Sequence, residues 1–196
     1  MLAVAGRVFA VEGYHGASMD DIAEGVGVTK PMLYSYFGSK EGLYLAYMRQ
    51  AGAELLRSLR EAADPAAPPR ERLWGGLLAF LAFVDEHRDE WRLLYGEAAA
   101  QGGPFAAEVG QLRGRVSALV TSLVAGDRGV GRRTGAQASA HALVGACESV
   151  ANWWLEHPDQ PLELVASRLM GFAWIGLERL SDGAAWAPPT GPPPAG

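Results

Sequence analysis

Residues 18–43 read SMDDIAEGVGVTKPMLYSYFGSKEGL, and the placement of apolar side chains, glycines and hydroxyl residues in this stretch decides the fold. Ser18 stands before an apolar periodicity of Met19, Ile22, Ala23 and Val26. Its hydroxyl predicts a helix N-cap, and Asp21 three residues on imitates a capping box with the shorter acid. Gly27 between Val26 and Val28 predicts a tight turn between two helices. Thr29 then caps a third helix, with Pro31 in its first turn, where a missing N–H costs little. Leu33 and Phe37, four apart, turn back to the core. Lys30, Met32, Tyr34, Ser35 and Tyr36 are left on faces open to a partner. Gly38 ends that helix and Ser39 caps the next.

Upstream, Leu2, Ala5, Val8 and Phe9 line one face of a first helix, and Gly13 is placed to end it in a left-handed conformation. Two short helices around a glycine turn, the second polar-faced, form the layout of a helix-turn-helix. The pattern by itself also fits a plain three-helix bundle.

Downstream, three stripes have helical spacing. They are Leu73, Leu77, Phe80, Leu81 and Val84; Leu143, Cys147, Val150, Ala151 and Trp154; and Leu162, Val165, Leu169 and Phe172. Proline at 65, 68 and 69, the Gly102-Gly103-Pro104 run, a glycine- and arginine-rich loop over 126–135, and Pro158 with Pro161 separate the helices. The tail from 183 is proline-rich and aperiodic, and is expected to be disordered. The fold class expected is all-α. Its parts are a helix-turn-helix domain over 1–45, a helical ligand-binding and dimerisation bundle over 46–182, and the tail over 183–196.

Composition agrees with a globular chain: 196 residues, 49% hydrophobic and 20% charged. A net charge of −5 is no global signature of nucleic-acid binding, so that reading must rest on local residues. Through residue 45 there are three bases against five acids. The single cysteine, Cys147, lies in an apolar stretch and reads as a small buried hydrophobe, consistent with a reducing cytoplasm. The most apolar run, 73–84, is too short to span a membrane and contains Gly75 and Gly76. The apolar start lacks a basic segment and is interrupted by Arg7, so no signal peptide is expected. No P-loop, dinucleotide fingerprint or nucleophile–base pair is present, so no enzyme is expected and no cofactor. His87 with Glu86, Asp89 and Glu90 lacks a convincing metal-ligand spacing and reads as a solvated corner.

The 18–43 stretch resembles the DNA-binding segment of the TetR family of transcriptional regulators. The likeness is carried by Ile22-Ala23, Gly27-Val28, Leu33-Tyr34, Tyr36-Phe37 and Ser39-Lys40-Glu41, with Phe9 and Gly13-Tyr14 ahead of it. The resemblance implies that Lys30, Pro31 and Met32 face base edges, and that Tyr34, Tyr36 and Lys40 meet phosphates, with a base as a further contact open to Tyr36. Ser18, Thr29 and Ser35 complete the expected DNA-contacting set. Family members usually carry basic residues ahead of the first helix. This chain begins almost inside it, as expected of a misassigned start or a trimmed chain, and an arm contact would then be missing.

The resemblance further implies a homodimer built on the last two long helices, roughly 133–156 and 161–181. It would bind an inverted repeat in double-stranded DNA and answer to a small-molecule effector, as a cytoplasmic repressor. Ala138, Ala142, Val150, Trp153, Trp154, Phe172 and Trp174 suit such a helix–helix interface, or equally a monomer core. Trp74, Phe80, Phe83, Trp91, Tyr95, Phe105 and Trp154 are aromatic enough to line an effector pocket, although any helical core uses such residues. His141, Glu148 and Asn152, at i, i+7 and i+11, either orient a ligand or hydrogen-bond across the dimer. Two further classes remain open: a helical enzyme or carrier whose first helices only resemble a reader, and a DNA-binding regulator governed by a protein partner.

Overall fold

The structure is a computed structural model that describes residues 1–92, Tyr95, 103–125 and 130–181. The helices in order are α1 (Leu2–Gly16), α2 (Met19–Val26), α3 (Lys30–Phe37), α4 (Lys40–Ala62), α5 (Pro69–Glu86), α6 (Arg88–Arg92), α7 (Gly103–Ala125), α8 (Val130–Glu156) and α9 (Leu162–Ser181). The fold is all-α, with a helix-turn-helix at the N-terminus and a helical C-terminal bundle. The expected disordered tail over 183–196 and the loop residues 126–129 lie outside the described residues. Among the described residues no helix is long and apolar enough to cross a membrane.

Two cores organise the chain. The first gathers Ala5 and Phe9 of α1, Met19, Ile22 and Ala23 of α2, Leu33 of α3, and Leu43, Tyr44, Tyr47 and Met48 of α4. The second gathers Leu55 and Leu59 of α4, the Leu77–Val84 face of α5, Trp91, and inward residues of α8 and α9. Each fully buried large apolar side chain contributes about 1.5–3 kcal/mol of transfer free energy. α4 runs through the 45/46 position without a break and supplies both cores, with its N-terminal half in one and its C-terminal half in the other.

Three boundaries differ from the sequence expectation. Gly13 does take positive φ (70°), but the chain resumes a helical turn and α1 ends at Gly16. The cause is Tyr14, whose ring packs on Phe9, Tyr44 and Phe105 and holds the segment against the core. Gly103 and Pro104, expected as a break, form the first turn of α7. The glycine- and arginine-rich stretch is already helical from Val130, since packing alongside α7 overrides a weak propensity.

α9 has apolar residues on two sides. Val165, Ala166, Leu169, Met170 and Ala173 are buried, whereas Phe172, expected on the inward stripe, is 74% exposed together with Leu164 and Ile175. Trp154 and Trp153, adjacent on α8, also part company: Trp154 is in the core and Trp153 faces out. Ala138 and Ala142 are exposed, and Val150 and Trp174 are half-buried.

The close approach of α3 and α4 depends on Gly42. A β-carbon there would overlap the carbonyl oxygen of Phe37, a backbone atom that cannot rotate away. Gly76, inside α5, has open space around the same position. Gly42→Ala should therefore cost about 1–3 kcal/mol. Gly76→Ala should add roughly 0.5–1 kcal/mol, through a less flexible unfolded chain and better helix propensity. Urea unfolding of the two variants checks the opposite signs.

Candidate nucleic-acid interface and effector region

The α2–α3 unit is assembled from local bonds. Ser18 caps α2, its Oγ accepting the Asp20 N–H at 3.1 Å. Gly27 sits at φ 75°, ψ 33°, a conformation only glycine adopts cheaply. There its N–H bonds the Glu24 carbonyl, and the Val28 N–H reaches back to Ala23, both at 3.0 Å. This paired closure satisfies the end of α2 and aims the chain into α3. Thr29 is the N-cap of α3 through its backbone alone, its carbonyl accepting from Met32 and Leu33. The hydroxyl cap expected of it is not formed. The reason is Pro31: at the second helical position it has no N–H to donate, and the Met32 N–H is already taken by the Thr29 carbonyl.

Leu33 is fully buried and Phe37 packs against the same core, which fixes the rotation of α3. Thr29, Lys30, Pro31, Met32, Tyr34, Ser35 and Tyr36 consequently face water, Tyr36 at 64% exposure. Ser18 is half-buried at the start of α2.

The two lysines of this face are engaged. Lys30 Nζ lies 2.8 Å from Asp20 Oδ2, and that hydrogen bond, with the attraction of the carboxylate, raises the lysine above its ordinary pKa. Lys40 Nζ donates to the His15 carbonyl at 3.0 Å and lies 5.1 Å from the Tyr14 ring centroid. A cation at the C-terminal end of α1 is favoured by the helix dipole, so Lys40 ties α4 to α1. Two of its ammonium hydrogens remain for another acceptor. Sequence spacing held no sign of these pairings, because Asp20–Lys30 and His15–Lys40 lie on different helices.

The aromatic residues proposed for a pocket do not gather in one place. Phe80, Phe83, Trp91 and Trp154 are in the second core, Trp74 packs at its edge, and Phe105 belongs to the first core. Phe105 contacts Tyr14 and Tyr44 edge-on, at 4.7 and 4.8 Å between centroids, because the start of α7 crosses over α1 and α4. Tyr95 packs against both cores.

Four of the named residues do meet. Trp91 stacks on Tyr95 at 4.0 Å, and its indole N–H donates to Asn152 Oδ1 at 2.8 Å. The Tyr95 hydroxyl donates to Glu148 Oε1 at 3.1 Å. Glu148, buried, also receives the Arg113 guanidinium through both oxygens, at 3.0 and 2.7 Å. Such a bidentate pair offsets the cost of burying the carboxylate. Burial, and then Glu148, push the Tyr95 hydroxyl above the ordinary phenol range. His141 stands apart, its Nδ1 3.3 Å from Ser117 Oγ of α7. His87 stacks on Phe83, and among the described residues no cluster of His, Cys, Asp or Glu is able to hold a metal.

Residues 1–47 match the family of bacterial regulatory proteins described as tetR, and residues 69–176 match the tetracyclin repressor-like C-terminal domain. The chain is 31% identical over 182 residues to the HTH-type transcriptional activator FasR of Mycolicibacterium smegmatis, covering 92% of this chain and 82% of that protein. It is 31% identical over 98 residues to the HTH-type transcriptional repressor KstR2 of Mycobacterium tuberculosis, about half of each chain. The crystal structure of a TetR-like transcriptional regulator from Rhodococcus sp. RHA1 superposes with a TM-score of 0.72 at 36% identity, covering 90% of this chain and 93% of that one.

Beside Glu148, Cys147 is buried, and burial pushes its thiol from 9.0 up to about 12. The folded chain thus holds the proton more tightly than the unfolded chain does. The stability this contributes is complete below pH 9 and is lost as pH rises from about 9 to about 12, with Tyr95 adding to the loss above 10. The urea midpoint should fall through that window, and less steeply in Cys147→Ala. Equal alkaline slopes in the two proteins would contradict the assignment.

Proposed function

The chain belongs to the TetR family of DNA-binding transcriptional regulators, and from that premise we propose that it reads an inverted-repeat operator as a homodimer, with a small molecule releasing it. The observation that carries this is the face of α3. Lys30, Pro31, Met32, Tyr34, Ser35 and Tyr36 are held outward together by the burial of Leu33 and the turn at Gly27.

Each polar group there has a chemical task. Lys30 donates to guanine O6 and N7, and Met32 meets a thymine methyl. The hydroxyls of Thr29, Tyr34, Ser35 and Tyr36, the free donors of Lys40, and the amide end of α2 behind Ser18 hold phosphates. One eight-residue helix reads too few bases, so two protomers are needed, with recognition helices about 34 Å apart on one face of the duplex. The outward apolar residues Trp153, Leu164, Phe172 and Ile175 on α8 and α9 support that pairing, since an exposed patch of this kind marks an association surface.

The effector region we infer is the polar and aromatic cluster of Trp91, Tyr95, Glu148 and Asn152. Trp74, Phe80, Phe83 and Trp154 form its apolar surround, and His141 flanks it. Phe105 takes a different part, linking α7 to the head formed by α1–α3 and the start of α4. An effector that alters the Tyr95 or Glu148 contacts acts on α6 and α7 together, and both helices lie beside the head: α6 against α1, and α7 through Phe105. Linkage then requires that effector weaken DNA binding by the factor by which DNA weakens effector binding.

We take the output to be repression, by occupation of the operator in the cytoplasm. Activation is the second reading, favoured by the similarity to FasR over 82% of that protein, and transcription from the selected operator in vitro separates the two.

Selection of the purified protein on a random duplex library tests the reading, at low and at physiological salt. The expected product is an inverted repeat with half-sites about one helical turn apart. Tyr36→Ala should lose about tenfold in affinity for it, roughly the 1.5 kcal/mol of a hydrogen bond to a charged group, and lose a similar factor on unrelated duplex, as a phosphate contact does. Phe172→Glu should sediment as a monomer and lose the repeat. No enrichment by the folded protein at either salt would overturn the DNA-reading proposal.

A further inference from the structure

Asp20 and Lys30 stand ten residues apart, on α2 and α3, and the left-handed turn at Gly27 brings their side chains to 2.8 Å. Both remain open to water, the lysine at 44% and the aspartate at 68%. An exposed pair of this kind adds little to the stability of a fold. Its larger effect falls on what Lys30 presents to a polyanion. The carboxylate occupies one of three ammonium hydrogens and cancels the charge beyond a few ångströms. Lys40, the neighbouring base, is likewise committed in part to the His15 carbonyl. The face that would meet DNA therefore holds one lysine charge-paired and the other tethered to a carbonyl, on a segment where acids outnumber bases.

We propose that Asp20 is a positioning residue that sets DNA specificity: by holding Lys30 it withholds that charge from the phosphates of arbitrary duplex and leaves the ammonium aimed at a base edge. The proposal rests on α3 being the recognition helix. Attraction to arbitrary duplex comes from counterion release and scales with the number of cations free to meet phosphates. A lysine tied to a carboxylate contributes little to that number. A guanine edge instead offers two acceptors, O6 and N7, which the two remaining ammonium hydrogens engage by geometry. Asp20 thus lowers non-specific binding more than specific binding, and widens the ratio between them. Asp20 also lies in the first turn of α2, where a negative charge suits the helix dipole, but Asp21 beside it supplies the same charge. Asp20→Asn should accordingly melt near the wild-type temperature.

The test measures the wild-type protein, Asp20→Asn, Lys30→Ala and the double variant, each on the selected operator and on a scrambled duplex of equal length, across a salt series. Asp20→Asn should bind the scrambled duplex roughly threefold to tenfold more tightly, with a salt slope steeper by about 0.9 for each lysine freed. The gain on the operator should be smaller, so the specificity ratio falls. In the Lys30→Ala background the same substitution should gain much less. An equal gain in both backgrounds would mean that only net charge matters, and would overturn the proposal. So would an unchanged affinity for the scrambled duplex, or a specificity ratio that rises. A wild type that discriminates while Asp20→Asn changes nothing sinks this proposal alone. A folded wild type that holds neither duplex sinks the recognition-helix reading, and this inference with it.

Discussion

Tyr44 is the point on which the arrangement depends. Its ring is 1% exposed and is surrounded by Phe9 at 4.9 Å, Phe105 at 4.8 Å and Tyr14 at 5.2 Å between centroids. Those four rings come from α1, α4 and α7, so a single aromatic cluster joins the reading head to the rest of the chain. Edge-to-face pairs of this kind add about 0.5–1.5 kcal/mol beyond area burial, and they fix orientation as well as distance. α4 then carries the constraint onward as one uninterrupted helix into the second core. A head attached by a loop would leave α3 free to wander. Here its position follows from packing, as the proposed pair of recognition helices at a set spacing requires.

α7 reinforces that connection with charge. Near its start, buried Glu108 receives Arg49 of α4 at 2.8 Å and Arg115 of its own helix at 3.5 Å. Further along, Arg113 pairs with buried Glu148 of α8. Each arginine is about half exposed, so water keeps part of the guanidinium solvated while the carboxylate is held inside. Such pairs contribute little to net stability, but removing one partner leaves an uncompensated buried charge. Their geometric consequence is that α7 is pinned to α4 at one end and to α8 beyond it. The Trp91–Tyr95–Glu148–Asn152 cluster lies on that path, which is why we place the effector there.

Much of the head was legible because its determinants are local. Ser18 and Ser39 cap where hydroxyls should, Gly27 turns where only glycine turns cheaply, and the spacing of Leu33 and Phe37 decides which side of α3 is wet. The exceptions have local causes too: Pro31 removes the N–H that Thr29 needed, and Tyr14 carries α1 past Gly13. The rest depends on contacts between distant segments. Helical spacing cannot assign Phe105 to the head rather than to a pocket, nor send Phe172 outward when it falls on the stripe of Val165 and Leu169. His141, Glu148 and Asn152 share a stripe, yet only two of them reach the Trp91–Tyr95 cluster, because seven residues of helix separate His141 from Glu148 by about 10 Å. The Asp20–Lys30 pair was equally hidden, since it exists only once the turn has closed.

The central claim is that the α2–α3 face, and not the α8–α9 face, is the surface that meets duplex DNA. Amide hydrogen exchange on the protein alone and on its complex with the selected operator tests it directly. The account predicts slowed exchange at the starts of α2 and α3, behind Ser18 and Thr29, with little change over the exposed sides of α8 and α9. New protection on α8 and α9, with none at those two helix starts, would contradict it.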